Sequence, residues 1–449
     1  MIKDEGVLMS RRCFFCILLL LCGLSVKTVR AEVDFTTLSN KVMTGYQGWH
    51  WAEGDGSPYN KWNHWVQSSS SQAGPNNCHM DMYPDMTEYT TNTYATGYQT
   101  PGGTPMKLYS AVDYSTVDLH FKWMRDYNID GAFVQRFISG FVSYGDRSRN
   151  VDRVLSNCCK AAETYGRAFV VMYDVSDISG DTTLKNTISY DWSNRTSVYT
   201  NSSNYLFHQG KPLVVVWGMG KTNRAPVSPK VALEIVKFFK TNGCTVMGGV
   251  GTGWTNNSGL RTNVDQTVTW KQVYEEYNVI SPWSVGTFSN PDDNKTKLSN
   301  DVINCNLRGV DYMPVVWPGF SWSNWKPDST FNSKPRQGGT FLWRQAYNSK
   351  TAGANMLYLA MFDEVDEATA LYKTTPTAET SPQVIYAAGY TNRWVRLDID
   401  GQNLPSDWYL QVCGEINRMF KGQRPPTNTL PLVPNRRPVI TSTPVTNGT

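Results

Sequence analysis

An alternation constrains this chain more than any other feature. Short apolar runs recur at 42–46, 108–111, 132–134, 168–173, 213–217, 245–250, 279–283, 312–317 and 356–362. They are rich in β-branched and aromatic residues, and several are apolar on both faces, as in Leu213-Val214-Val215-Val216. A strand that is apolar on both faces needs cover on both, which is the condition of a parallel sheet. Between many of these runs lie helical patterns, at 116–127, 151–165, 229–241, 265–277, 295–307 and 339–348. Strand-helix units repeated from Lys41 to Thr374 predict an α/β fold, a (β/α)8 barrel with long βα loops and a C-terminal helical extension. Nine candidate strands compete for eight places. The runs at 108–111 and 279–283 are the weakest, so one of them is expected to be an accessory strand.

The flanks divide the rest. Arg11-Arg12 precede an uncharged run at 13–26, and Val29-Arg30-Ala31 follows. A basic flank, a short apolar core and a small residue predict a secretory signal over 1–31, cleaved near Ala31. The run has 14 residues, short of the ~20 a membrane-spanning helix needs. The protein is therefore expected to be secreted, with a signal anchor in the Golgi or another secretory lumen as the alternative. The expected division is 32–376 barrel, 377–422 extension packed on the barrel, and 423–449 disordered tail rich in Pro and Thr. Within the extension, Trp408, Val412, Ile416 and Phe420 predict a helix over 406–421. Secretion also makes five sequons usable, at Asn194, Asn201, Asn256, Asn294 and Asn447. It makes one or two disulfides expected among Cys78, Cys158, Cys159, Cys244, Cys305 and Cys413.

Charge excludes one class of partner. Lys plus Arg number 42 against 38 Asp plus Glu, a scattered net charge of +4, so no basic stripe for nucleic acid is present. No motif for a cofactor occurs, and beyond the signal no CxxC or HExxH, so neither cofactor nor metal is expected. A monomer is expected.

A barrel of this class builds its site at the C-terminal ends of its strands. Those ends carry Tyr46-Gln47, Asp113, Gln135-Arg136, Tyr173-Asp174, Trp217, Trp283, Trp317 and Asp363-Glu364. Carboxylates, amides and flat rings around one mouth suit a sugar, whose hydroxyls need planar polar partners and whose C–H face needs an aromatic. The expected substrate-binding residues are Tyr46, Asp113, Gln135, Arg136, Tyr173, Asp174, Trp217, Trp283, Trp317 and Asp363.

The densest chemistry is Asp363-Glu364-Val365-Asp366-Glu367, four acids in five residues as the last barrel strand ends. On a turn, residues three apart share a face, so Glu364 and Glu367 can be aimed at one substrate. Glycoside hydrolysis needs two carboxyl groups, one of them able to donate a proton, and crowded carboxylates raise one another's proton affinity. Two other readings of the same residues stay open, Asp366 as the cap of a short helix running to Leu371 and a calcium site of hard oxygens.

In order and spacing, several motifs resemble the glycoside hydrolase family 99 and family 71 group of barrels, with its endo-α-mannosidase, endomannanase and α-1,3-glucanase members. They are Gly45-Tyr46-Gln47-Gly48-Trp49, Asp81-Met82-Tyr83-Pro84-Asp85, Asp118-Leu119-His120-Phe121-Lys122-Trp123, Gly131-Ala132-Phe133-Val134-Gln135-Arg136-Phe137, Val315-Val316-Trp317-Pro318-Gly319-Phe320 and Phe362-Asp363-Glu364-Val365-Asp366-Glu367. The likeness covers most of 41–422 and is strongest to a family-99-like branch. In family 99 the last strand carries Asn-Glu-Trp-His-Glu, so both Glu positions match Glu364 and Glu367 while the Asn, Trp and His do not. The resemblance implies a retaining glycoside hydrolase acting on an α-linked oligosaccharide or polysaccharide. Glu364 would draw on the sugar 2-hydroxyl and Glu367 would be the general acid/base, through a 1,2-anhydro sugar. The alternative is a lectin-like, non-catalytic carbohydrate-binding protein on the same barrel. His120, on a helical pattern, is expected to be a buried structural histidine, and Trp322 and Trp325 could form a sugar platform.

Overall fold

Pro314 explains an interruption in the strand that closes the sheet. In the computed structural model, which describes residues 33–433 except 177, 179, 222–226, 257–266, 385 and 388–389, the parallel strands are β1 Val42–Tyr46, β2 Gly131–Phe137, β3 Ala168–Asp174, β4 Lys211–Trp217, β5 Thr245–Gly251, β6 Val279–Trp283, a seventh in two pieces, and β8 Leu357–Leu359. The pieces of β7 are Asp311–Tyr312, paired with β6, and Val315–Val316, paired with β8. Pro314 has no N–H to add to the ladder, but its carbonyl still accepts from Tyr358 N, and Met313 N donates to Ile280 O. With β7 read as one strand, the order β7-β6-β5-β4-β3-β2-β1-β8-β7 returns to its start. This is a (β/α)8 barrel.

Parity along each strand separates two apolar layers. Met43, Phe133, Met172, Val215, Met247, Val279, Met313 and Tyr358 pack together in one cluster inside the ring. Their neighbours Val42, Ala132, Val171, Val214, Val246 and Leu357 belong to the other, facing the helices. Both layers are buried, which explains strands that read as unbroken apolar runs.

The helices follow in turn: α1 Tyr114–Asp126, α2 Asp146–Tyr165, α3 Asp181–Asp191, α4 Pro229–Thr241, α5 Trp270–Glu276, α6 Lys295–Arg308, α7 Thr340–Thr351 and α8 Trp408–Phe420. Their ends obey local chemistry. Ser228 accepts from Val231 N ahead of α4, whose first residue is Pro229, and Gly166 takes the left-handed conformation after α2. Helix α3 escaped the periodicity because its buried face is only Leu184, Ile188 and a polar Asp191. Helix α8, expected as an extension, packs against α7 and takes the eighth helix position.

Of the two weakest runs, 108–111 is the accessory one, as expected of one of them: Pro105–Tyr109 pairs antiparallel with Thr93–Gln99 outside the barrel, whereas Val279–Trp283 is a barrel strand. Two expectations are corrected and one open reading is closed. Among the described residues no disulfide forms: Cys78, Cys158, Cys159, Cys244, Cys305 and Cys413 are all free. No helix runs from Asp366 to Leu371, where a turn ends at Ala368. The chain after Gln423 is not all free: Arg424 lies 2.9 Å from Glu415, Trp343 Nε1 donates to Thr427 O and Leu430 is buried. The expected signal and the residues beyond 433 lie outside the described part. Among the described residues no helix is long and apolar enough to cross a membrane. Asn194, Asn201 and Asn256 are exposed and Asn294 is half-buried, while Asn447 lies outside the described residues.

Candidate active site

The ends of β8 and β1 are tied to each other before they present anything to a ligand. Asp363, the first acid after β8, accepts from Gln47 N at 2.7 Å and Gly48 N at 2.8 Å. Gly48 has φ +60°, and a β-carbon there would lie 2.5 Å from Val154 Cγ1, so no other residue fits this clasp without strain. Asp363 is buried, which raises its pKa against the pull of those two amides. It positions β1 and does not line the pocket.

The clasp aims Gln47 at Glu364. Gln47 Nε2 donates to Glu364 Oε2 at 2.7 Å, while Glu364 Oε1 accepts from Asp366 N at 2.9 Å and Glu367 N at 3.3 Å. Glu364, not Asp366, therefore caps the turn, and in doing so it fixes where Glu367 leaves the backbone. Burial pushes the Glu364 carboxyl well above its ordinary pKa; the charges of Asp366, Glu367 and Asp363 push it further, against the hydrogen bond from Gln47.

Asp366 points the other way, into a ring of histidines. His50 Nε2 lies 3.3 Å from its Oδ1, and His64 Nδ1 and His79 Nδ1 lie 2.8 Å and 3.1 Å from its Oδ2. Burial works to raise Asp366, but the charge of His79 and hydrogen bonds from all three imidazoles hold it well below the carboxylate range. Burial pushes His64 down to about 4, whereas for His79 the attraction of Asp366 outweighs burial and raises it.

Glu364, Asp366 and Glu367 share a cavity of about 360 Å³ with Gln47, Trp49, Asn63, His64, Gln135, Asp174, Trp217, Trp283 and Trp325. Flat rings are prominent in its lining. Trp49 stacks on His64 with centroids 3.6 Å apart and on Phe137 at 4.6 Å; Trp217 meets Trp283 edge-on at 5.3 Å; Trp325 lies 4.7 Å from His79. Gln47 Oε1, Gln135 Oε1 and Trp49 Nε1 are buried without a protein partner.

Of the residues expected here, Glu364, Glu367, Gln135, Asp174, Trp217 and Trp283 line the cavity. Tyr46, Arg136 and Tyr173 do not, because each sits one residue away from an inward position and points at the helices. Tyr46 bonds His120 Nδ1; Arg136 pairs with Asp191 and Asp152; Tyr173 donates to Asp191. Asp113 follows the accessory hairpin and accepts from Tyr94. Trp317 is fully buried against Phe288 and Phe341. His120 is structural, held between Tyr46 and Tyr89. Trp325 joins the cavity, whereas Trp322 packs on Phe320. Sequence reading missed His50, His64 and His79 and expected no histidine beside the acids. The available signal was that three of the chain's five histidines fall between residues 50 and 79.

No protein-family model matches the sequence, and no curated protein does. Solved structures do. The family 99 endo-α-mannosidase of Bacteroides thetaiotaomicron aligns with a TM-score of 0.57 at 14% identity, over 86% of this chain and 99% of that one. A structure of the same enzyme in complex with bis-tris-propane aligns equally, with a TM-score of 0.57, 14% identity and the same coverage of both chains. At that identity the likeness establishes the barrel, shared with glycoside hydrolases.

Proposed function

We propose that the protein is a glycoside hydrolase that cleaves an α-linked glycan with retention of configuration, using Glu364 and Glu367. The observation that carries this reading is the placement of both carboxylates on the turn leaving β8, in one cavity with unpaired amide oxygens and indoles. A buried amide oxygen left unsatisfied costs about 1–3 kcal/mol, and sugar hydroxyls supply donors at that spot. Indole faces supply cover for the C–H side of the ring.

In the reaction, Glu364 takes the proton of the 2-hydroxyl and O2 attacks C1. The glycosidic oxygen leaves with the proton of Glu367. Water, giving its proton to Glu367, then opens the 1,2-anhydro ring at C1, and O2 recovers its proton from Glu364. Two inversions give net retention. The internal nucleophile is already in place and needs only its proton removed. Attack from the rear requires O2 trans to the leaving group, so among α-linked sugars the manno configuration fits and the gluco does not. The solved neighbour being an endo-α-mannosidase agrees with that preference.

The test is a screen of α-mannan and α-glucan fragments, with NMR of the first product before mutarotation. Retained α configuration on mannan fragments is expected. An inverted product would move the base to another rim carboxylate such as Asp174. Binding without turnover across the panel would favour the lectin-like reading.

A further inference from the structure

Asp366 gathers three histidines. Two imidazole Nδ1 atoms face its Oδ2, at 2.8 and 3.1 Å. The three ligating atoms lie within 4.8 Å of one another. A tetrahedral ion with bonds of ~2.0–2.1 Å sets its ligand atoms ~3.3 Å apart, so around an ion the two N···O distances of 2.8 and 3.1 Å would open slightly while the ligand atoms, spread over as much as 4.8 Å, would draw together.

The surroundings hold these groups in that arrangement. His64 is stacked flat on Trp49 and edge-on to His79, and His79 leans on Trp325. His50, fully buried, contacts the other carboxylate oxygen at 3.3 Å and so turns Oδ2 toward the two Nδ1 atoms. A donor behind a ligating carboxylate is what a built metal site has. Charge points the same way: among the cavity-lining residues Asp174, Glu364, Asp366 and Glu367 face a single arginine, Arg147. His79 Nδ1 also faces the His64 carbonyl at 3.2 Å, a contact that a bound ion would replace.

We propose that His64, His79 and Asp366 bind one divalent first-row transition ion of the zinc class. Two imidazoles with one carboxylate disfavour calcium, which takes six to eight oxygens. His64 and Asp366 line the cavity, so the remaining coordination positions face the glycan, where a pair of sugar hydroxyls or water completes the ion. The site shares the cavity of the proposed hydrolase, but ion binding itself does not depend on turnover.

The experiment uses untagged full-length protein stripped with chelator. Zinc is titrated and counted per chain, cobalt(II) is added as a spectroscopic probe, and the zinc edge is read by X-ray absorption. The expected result is about one zinc per chain, visible cobalt d–d absorption of tetrahedral type and an edge fitted by imidazole and oxygen. His64→Ala/His79→Ala should bind at least ~100-fold more weakly, and His50→Ala ~10-fold more weakly with the stoichiometry kept. Should the double variant unfold, the wild-type edge and cobalt spectra decide alone. Zinc far below one per chain, a spectrum without imidazole, or equal binding by a folded double variant overturns the site. Hydrolysis assayed on both stripped and zinc-loaded protein separates the two readings: zinc binding with no hydrolysis in either state sinks only the proposed function, and hydrolysis by a protein that binds no zinc sinks only the metal site.

Discussion

Single side chains carry two consequences that can be measured. In the proposed reaction Glu367 supplies the leaving-group proton, which an activated aryl glycoside does not need. Glu367→Gln should therefore lower kcat/KM by ~10²–10⁴ on a natural glycan and by much less on the aryl substrate. Glu364→Gln should cripple both alike, because its proton transfer precedes both. Equal losses in the two variants on both substrates would remove the division of labour. His120 sets a pH dependence that has nothing to do with catalysis. It is fully buried between Tyr46 and Tyr89, and burial pushes its pKa down to about 3 from an ordinary 6.5. Below pH 6.5 the unfolded chain takes up a proton there and the folded chain does not, so stability falls as pH falls, by about 2 kcal/mol at pH 5 from this group. His120→Gln should be less stable than wild type at pH 7, and the gap should narrow by roughly that amount at pH 5. Denaturant unfolding at the two pH values reads it; a constant gap would mean that His120 is protonated in the fold.

The element that decides function is the strand end, where adjacent residues have opposite fates. Gln135 faces the cavity with its Oε1 unpaired, while Arg136 faces α2 and α3 and is held by Asp191 at 2.6 Å. Gln135→Ala should raise KM about tenfold, the value of one hydrogen bond, with little change in melting temperature. Arg136→Met removes the principal partner of the buried Asp191, leaving it the Tyr173 hydroxyl and Arg195 at 3.9 Å, and should cost about 3 kcal/mol while leaving KM unchanged in the folded fraction. Thermal melts and kinetics on both variants check it, and a KM effect from Arg136→Met would mean that it reaches the substrate. Sequence placed both residues at a strand end, as it did Tyr46 beside Gln47 and Tyr173 beside Asp174. It did not show which of each pair faces in, because strands that are apolar on both faces leave no polar alternation from which to read the phase.

At the scale of the whole molecule, the chain past α8 is fastened to the barrel. Leu430 is buried and Thr427 O accepts from Trp343 on α7. Deleting 423–449 should lower stability by about 2–4 kcal/mol, one buried leucine and one hydrogen bond; an unchanged melting temperature would show those contacts to be idle. By itself the sequence determined the repeat of strand and helix, the barrel that such a repeat closes into, and the acids on its last strand. Those are local facts: hydrophobic periodicity and residue chemistry act over a few positions, and the barrel follows because eight two-faced strands have few other ways to be covered. It also placed the C-terminal helix but not its role as the eighth of the ring. What the tertiary structure alone decided is the surroundings of the acids. His50 and Asp366 are 316 residues apart, and no pattern along the chain links them. They meet because closure of the sheet seats β8 beside β1, which brings the long loop after β1, with its three histidines, against the turn after β8.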